Sequence, residues 1–226
     1  MNISAEQLAN CIDHTLLQAT ATKENIEQLC REAIEYGFHA VSINPRWIPL
    51  ACEFLHKTNV KVGGVVSLPL GGDTTKIKAA QAKDAIFAGA DEIDMVADLA
   101  SIIDGDSKYL SNQLYEVCKV CHSMKPPVLL KVIIESAALS DEQIIFACGI
   151  AQEAGVDFVK TSTGMNPAGG ATIEAVKLMK ESAPNCKVKA AGGIRTAEQA
   201  IEMLEAGAER IGTSASVKII AELQAQ

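Results

Sequence analysis

The 226-residue chain is 48% apolar but only 4% aromatic, and its formal net charge is −8. This composition excludes a disordered chain and supports a large aliphatic core. The negative charge argues against general nucleic-acid binding, while leaving room for a locally basic site and a small anionic substrate. No apolar run has membrane-spanning length, and the start, Met1-Asn2-Ile3-Ser4-Ala5-Glu6, lacks a basic segment followed by an apolar one. With seven cysteines, an odd number, the expectation is free thiols in a reducing, cytoplasmic setting.

Strand and helix patterns alternate along the chain, with no Ser/Gly linker. A short strand around 11–14 precedes a helix over 23–36. A strand follows Gly37, and a helix covers 45–56. The valine-rich stretch 60–68 is the third strand, followed by a helix over 74–88. After Gly89 come a strand and a helix over 108–122. The apolar run 128–134, broken only by Lys131, is the fifth strand. Its helix covers 141–154, where Ser140 and Gln143 form a capping-box pattern. A strand after Gly155 leads to a helix over 168–181. The strand 187–191 leads to a helix over 197–206, with Thr196 as its N-cap. A strand after Gly207 and a helix from about 216 complete the set. Eight strand–helix units in this length predict a (β/α)₈ barrel, one domain over 1–226. The competing doubly wound sheet lacks a G-x-G-x-x-G after the first strand.

Within the helix over 108–122, Cys118-Lys119-Val120-Cys121-His122 matches a haem-attachment pattern. Leu114, Val117 and Cys121 have helical apolar spacing, however, and there is no export signal. Helix packing is the favoured reading.

Four segments are copies of one another, each led by a glycine: Gly37, Gly89, Gly155 and Gly207. Each glycine follows an amphipathic helix, where a left-handed C-terminal residue belongs. The fifth residue after it is Ser42, Asp94, Lys160 or Gly212. Residues two apart share a strand face, so Asn44, Val96, Ser162 and Ser214 lie on the same side. The intervening Val41, Ile43, Ile93, Met95, Val159 and Ile211 suit packing against helices. The polar face is therefore the barrel interior, opening at the C-terminal strand ends, where barrel active sites lie.

Three lysines lie in strand patterns, Lys131, Lys160 and Lys189, and Asp94 shares their surroundings. A cluster of buried cations makes each proton harder to hold, so one amine becomes a nucleophile toward a carbonyl. The alternative is a structural ion-pair network. Ala191-Gly192-Gly193-Ile194-Arg195 ends the seventh strand and Gly212-Thr213-Ser214 the eighth. Loops in these places commonly hold phosphate in barrels, although tight turns alone also explain them. Gly164 and Gly169-Gly170 add a third wall. Asp13, His14 and Thr15 end the first strand as substrate contacts or as a cap, with His14 also a candidate general base. No cluster has metal-ligand spacing, and neither Ser162 nor Ser214 has an evident His–Asp partner.

Six ordered segments carry a family resemblance: Ile12-Asp13-His14-Thr15-Leu16-Leu17, Pro69-Leu70-Gly71, Glu92-Ile93-Asp94-Met95-Val96, Leu130-Lys131-Val132-Ile133-Ile134-Glu135, Phe158-Val159-Lys160-Thr161-Ser162-Thr163-Gly164 and Lys189-Ala190-Ala191-Gly192-Gly193-Ile194-Arg195. Together they resemble the 2-deoxy-D-ribose-5-phosphate aldolases, class I aldolases on a (β/α)₈ barrel that serve deoxyribose breakdown. The resemblance implies that Lys160 forms the Schiff base, that Lys189 lowers its pKa, and that Asp94 is the acid/base group, working through an ordered water. Lys131 would tune this network. Asp13, Thr15, Ser42, Thr163 and Gly164 would contact substrate, as would Lys131, and Gly192, Gly193, Arg195, Gly212 and Ser214 would surround the phosphate. It implies no cofactor beyond the covalent Schiff base on Lys160, no metal, and small aldehyde and sugar-phosphate substrates. Apolar helix faces leave room for a homodimer. The chain departs from the family pattern at Ser42, Ser67-Leu68, Gln81 and Ala215, and its last tyrosine is Tyr115. Rival readings are a Schiff-base aldolase for another sugar phosphate and a non-catalytic sugar-phosphate-binding barrel.

Overall fold

A computed structural model describes residues 3–225. Eight parallel strands close into a barrel in chain order, with β1 hydrogen-bonded to both β2 and β8. They are β1 (Ile12–Leu16), β2 (Ala40–Ile43), β3 (Lys61–Val66), β4 (Glu92–Val96), β5 (Leu129–Ile133), β6 (Phe158–Lys160), β7 (Lys187–Ala191) and β8 (Arg210–Thr213). Around them lie α1 (Ala5–Ala9), α2 (Lys23–Tyr36), α3 (Ile48–Leu55), α4 (Thr75–Phe87), α5 (Leu99–Ile103), α6 (Ser107–His122), α7 (Asp141–Glu153), α8 (Ile173–Ser182), α9 (Ala197–Glu205) and α10 (Ser216–Gln224). No helix among the described residues is long and apolar enough to cross a membrane.

The outward strand residues Val41, Ile43, Ile93, Met95, Val159 and Ile211 are fully buried in one core between barrel and helices. Strands covered on both faces read as continuous apolar runs, so the polar residues on the inner face stand out. The glycines that lead the four copies all have positive φ, 68° at Gly37, 113° at Gly89, 82° at Gly155 and 113° at Gly207. This backbone turns each helix end into the next strand at little steric cost for glycine. Ser140 and Thr196 cap α7 and α9 as their spacing predicts, accepting from the Gln143 and Gln199 amides.

Several expectations shift. The first strand runs on to Leu16. The helix over 45–56 opens as a 3₁₀ turn at Pro45–Trp47. The helix expected from 168 starts at Ile173, where Thr172 caps it. Residues before it form a loop because Gly170 presses against Gly192: a Cβ on Gly170 would lie 2.1 Å from the Gly192 carbonyl oxygen. Two short helices, α1 and α5, escape periodicity because five residues hardly exceed one turn. Cys118 and Cys121 are buried free thiols inside α6, and His122 Nε2 bonds Asp157 Oδ2 at 2.9 Å, so this segment packs as a helix.

Candidate active site

The inner faces bring together side chains that are far apart in sequence. Asp94 on β4 is 1% exposed and takes three lysines. Lys131 Nζ lies 2.8 Å from its Oδ1, while Lys160 Nζ at 2.6 Å and Lys189 Nζ at 2.8 Å share its Oδ2. A second layer lies beneath. Lys131 also bonds Glu92 Oε2 at 2.5 Å, and Lys189 also bonds Asp13. Arg210 closes the floor, donating to Asp13 Oδ1 at 2.7 Å and Glu92 Oε2 at 3.0 Å.

Counting charges gives this floor its chemical meaning. The carboxylates Asp13, Glu92 and Asp94 face the cations Lys131, Lys189, Arg210 and Lys160. Three negative groups balance three positive ones, which leaves one cation without a counter-charge of its own. An uncompensated buried charge is costly and drives the group toward its neutral form. Lys160 is that group. Burial is the largest cause, Asp94 opposes it, and the charge of Lys189 adds to it; the net effect is a pKa lowered to about 8. Lys189 thus assists a shift that burial leads, a change of emphasis from the sequence reading. About a tenth of such an amine is neutral at pH 7, a gain of roughly two-hundred-fold over a free lysine. Lys131 behaves in the opposite way. Burial works against its charge, but Asp94, Glu92 and Asp13 outweigh burial and raise its pKa. Burial likewise opposes the charge of Asp94, yet Lys131, Lys160 and Lys189 hold its carboxyl well below the usual carboxylate range.

Above the floor, a cavity of about 310 Å³ opens at the C-terminal strand ends. Lys160 lines it, but Asp94, Lys131, Lys189, Asp13, Glu92 and Arg210 do not. Among the described residues, then, Lys160 is the one member of the ionic floor that forms a wall of this cavity. The walls also include Thr15, Thr163, Gly164, Gly192, Gly193, Arg195, Gly212 and Ser214, all expected from the sequence. Thr213 ties two of these loops together, donating to the Ile194 carbonyl at 2.7 Å and accepting from the Ala215 amide at 2.9 Å. The helix α10 begins directly beyond with no side-chain cap, so its positive N-terminal end is available to an anion.

Three expected contacts lie elsewhere. Asp13 is held in the floor by Lys189 and Arg210, because its side chain points down the barrel while Thr15, two residues on, reaches the cavity. Lys131 is consumed by Asp94 and Glu92. Ser42 is buried on β2 beside Thr15 and Gly63 and forms no part of this cavity wall. His14 faces outward and does not line this cavity. Its Nε2 bonds Glu32 Oε2 at 2.7 Å and its Nδ1 bonds Ser216 Oγ at 3.0 Å, clamping β1 to α2 and α10. Burial lowers its pKa, with Glu32 opposing. Ser216 is fully buried, so this serine–histidine–glutamate line is closed to a substrate.

Glu92 and Arg210 have no role in the sequence reading, yet the aligned copies contain the signal. Each lies two residues before an inner-face position, Asp94 or Gly212, and so shares that face. Phe158 occupies the matching place before Lys160, and the Arg210 guanidinium lies 5.3 Å from the centre of its ring.

The structure is a closed (β/α)₈ barrel with a cavity-lining lysine, and comparison with known proteins narrows its class. The DeoC/LacD family aldolase pattern matches residues 8–220, and the chain belongs to that family. It is 51% identical to the deoxyribose-phosphate aldolase of Thermococcus kodakarensis, over 96% of this chain and 97% of that one. It is 50% identical to the one of Caldanaerobacter subterraneus subsp. tengcongensis, over 99% and 96%. Among solved structures, a deoxyribose phosphate aldolase from Aeropyrum pernix, described as a unique tetramer, superposes with a TM-score of 0.90 at 32% identity, covering 98% of this chain and 92% of its own.

Proposed function

We propose that the chain is a deoxyribose-phosphate aldolase, a lyase that reversibly cleaves 2-deoxy-D-ribose 5-phosphate to glyceraldehyde 3-phosphate and acetaldehyde through a Schiff base on Lys160. The observation that carries this reading is the position of Lys160, whose uncompensated amine lines the cavity. Relatives of that name, about half identical over nearly the whole chain, agree with it.

The neutral Lys160 amine attacks C1 of the open-chain sugar, and loss of water leaves an iminium. A base takes the proton of the C3 hydroxyl, the C2–C3 bond breaks, and its electron pair flows to the iminium nitrogen. Glyceraldehyde 3-phosphate leaves and an enamine remains on Lys160. Protonation at C2 and hydrolysis then release acetaldehyde and restore the amine. Asp94, 2.6 Å from Lys160 Nζ, is the acid/base group nearest to these transfers. Lys189, 2.8 Å from the Asp94 Oδ2 that Lys160 shares, is a neighbouring cation that disfavours protonation of the Lys160 amine. The phosphate lies between the Gly192-Gly193 turn, Arg195, and the Gly212–Ser214 end of β8, against the open end of α10. No cofactor enters these steps.

Incubation with acetaldehyde, reduction with borohydride and peptide mapping test the reading. The expected result is an ethyl group on Lys160. No adduct, or an adduct on another lysine, would contradict it.

A further inference from the structure

One buried carboxylate beside the cavity has no part in the ionic floor. Glu135 follows β5 in a left-handed backbone, φ 54° and ψ 54°. A non-glycine residue pays a conformational cost there, and such costs gather at functional sites. The residues on either side continue the ladder to β6. The Ile134 amide donates to the Lys160 carbonyl at 3.0 Å, and the Ser136 amide to the Thr161 carbonyl at 2.9 Å. Between these anchors the Glu135 side chain is 2% exposed and reaches across to Thr163. One carboxylate oxygen accepts from the Thr163 amide, and the other accepts from the Thr163 hydroxyl at 3.2 Å. The same hydroxyl oxygen accepts from the Met165 amide at 3.1 Å.

One carboxylate thus fixes three consecutive residues, Thr163, Gly164 and Met165, and all three line the cavity. The opposite wall is close. A Cβ on Gly164 would lie 3.6 Å from Gly192 Cα. The separation of these two stretches therefore sets the width of the cavity on its Gly192 side. Lys160 precedes the held segment and is anchored separately, by Asp94 and by the strand ladder.

We propose that Glu135 is a positioning residue that sets the preference for a phosphorylated over an unphosphorylated sugar, by holding residues 163–165 against the Gly192-Gly193 turn. The assignment rests on the aldolase reading above. Without the carboxylate, the Thr163 amide and hydroxyl lose their acceptor and the wall moves away from the phosphate.

The test compares kcat/KM for 2-deoxyribose 5-phosphate and for 2-deoxyribose in the wild type, Glu135→Ala, Glu135→Gln and Thr163→Val. The loss of a buried hydrogen bond to a charged group predicts a fall of about tenfold in the phosphorylated-to-unphosphorylated ratio for Glu135→Ala, carried by KM of the phosphorylated sugar. Glu135→Gln keeps one acceptor and Thr163→Val keeps the backbone amide link, so both give smaller falls in the same direction. These two variants carry the test if Glu135→Ala does not fold. Equal losses for both sugars, or an unchanged ratio in the folded variants, would overturn the proposal. Borohydride trapping of acetaldehyde on wild-type Lys160 separates the two levels. With the adduct present and the ratio unchanged, only the Glu135 role fails; with no adduct, the aldolase reading fails and the role falls with it.

Discussion

The floor and the mouth of the barrel solve different problems with different parts of the chain. The floor is built from charged side chains on six strands, all buried and paired with one another. The mouth is built from backbone, at Gly164, Gly192, Gly193 and Gly212, with Arg195 and short hydroxyl side chains at its edge. Chemistry needs a proton inventory held away from water, which side-chain charge supplies. Holding an anion needs amides and helix ends at close approach, which backbone supplies. Lys160 belongs to both regions, and the site depends on that overlap.

The largest expected effect breaks the floor. Asp94→Asn removes the carboxylate that three lysines share while leaving the cavity wall as it is. The turnover number should fall by about a hundredfold or more, as for a lost general acid/base, with a much smaller change in KM. Steady-state kinetics with circular dichroism as a fold control will show this, and a near-normal kcat would move proton transfer to another group. A smaller effect of the opposite kind breaks the mouth. Gly192 has φ 88°, and a Cβ there would lie 3.0 Å from Gly170 Cα and 3.3 Å from Ser162 Cβ. Gly192→Val must therefore displace the turn. It should raise KM for the phosphorylated sugar by roughly tenfold while lowering kcat less. A loss confined to kcat would mean that the turn serves the floor.

The two regions were also unequally legible in the sequence. Strand periodicity placed Asp94 and Lys160 on one inner face, because alternation is a local property of the chain. It reached β7 and α2 with their exact bounds. The partners were harder to read. That Lys131 is absorbed by Glu92 and Asp94, or Asp13 by Lys189 and Arg210, depends on contacts between strands 37 to 197 residues apart. Glu92 and Arg210 were readable in principle, one step further down the same alternation. Glu135 was not, because its direction comes from a left-handed backbone that alternation does not foresee. At the mouth, glycines marked the loops correctly, but the segment before α8 read as helix. Its loop form is imposed by Gly192 packing on Gly170, a contact between elements.

The central claim is that Lys160 is the surplus cation of a balanced floor, and the pH dependence of its trapping tests this most directly. The rate of borohydride-trapped acetaldehyde adduct on Lys160 should be measured from neutral to alkaline pH, in the wild type and in Lys189→Leu. Below its pKa the amine holds a proton and does not attack, so the rate should climb through a midpoint of about 8 in the wild type. Removing the neighbouring cation makes the proton easier to hold, so the Lys189→Leu midpoint should lie at higher pH. A wild-type midpoint near the ordinary lysine value of about 10.4, or a midpoint that Lys189→Leu leaves in place, would contradict the account.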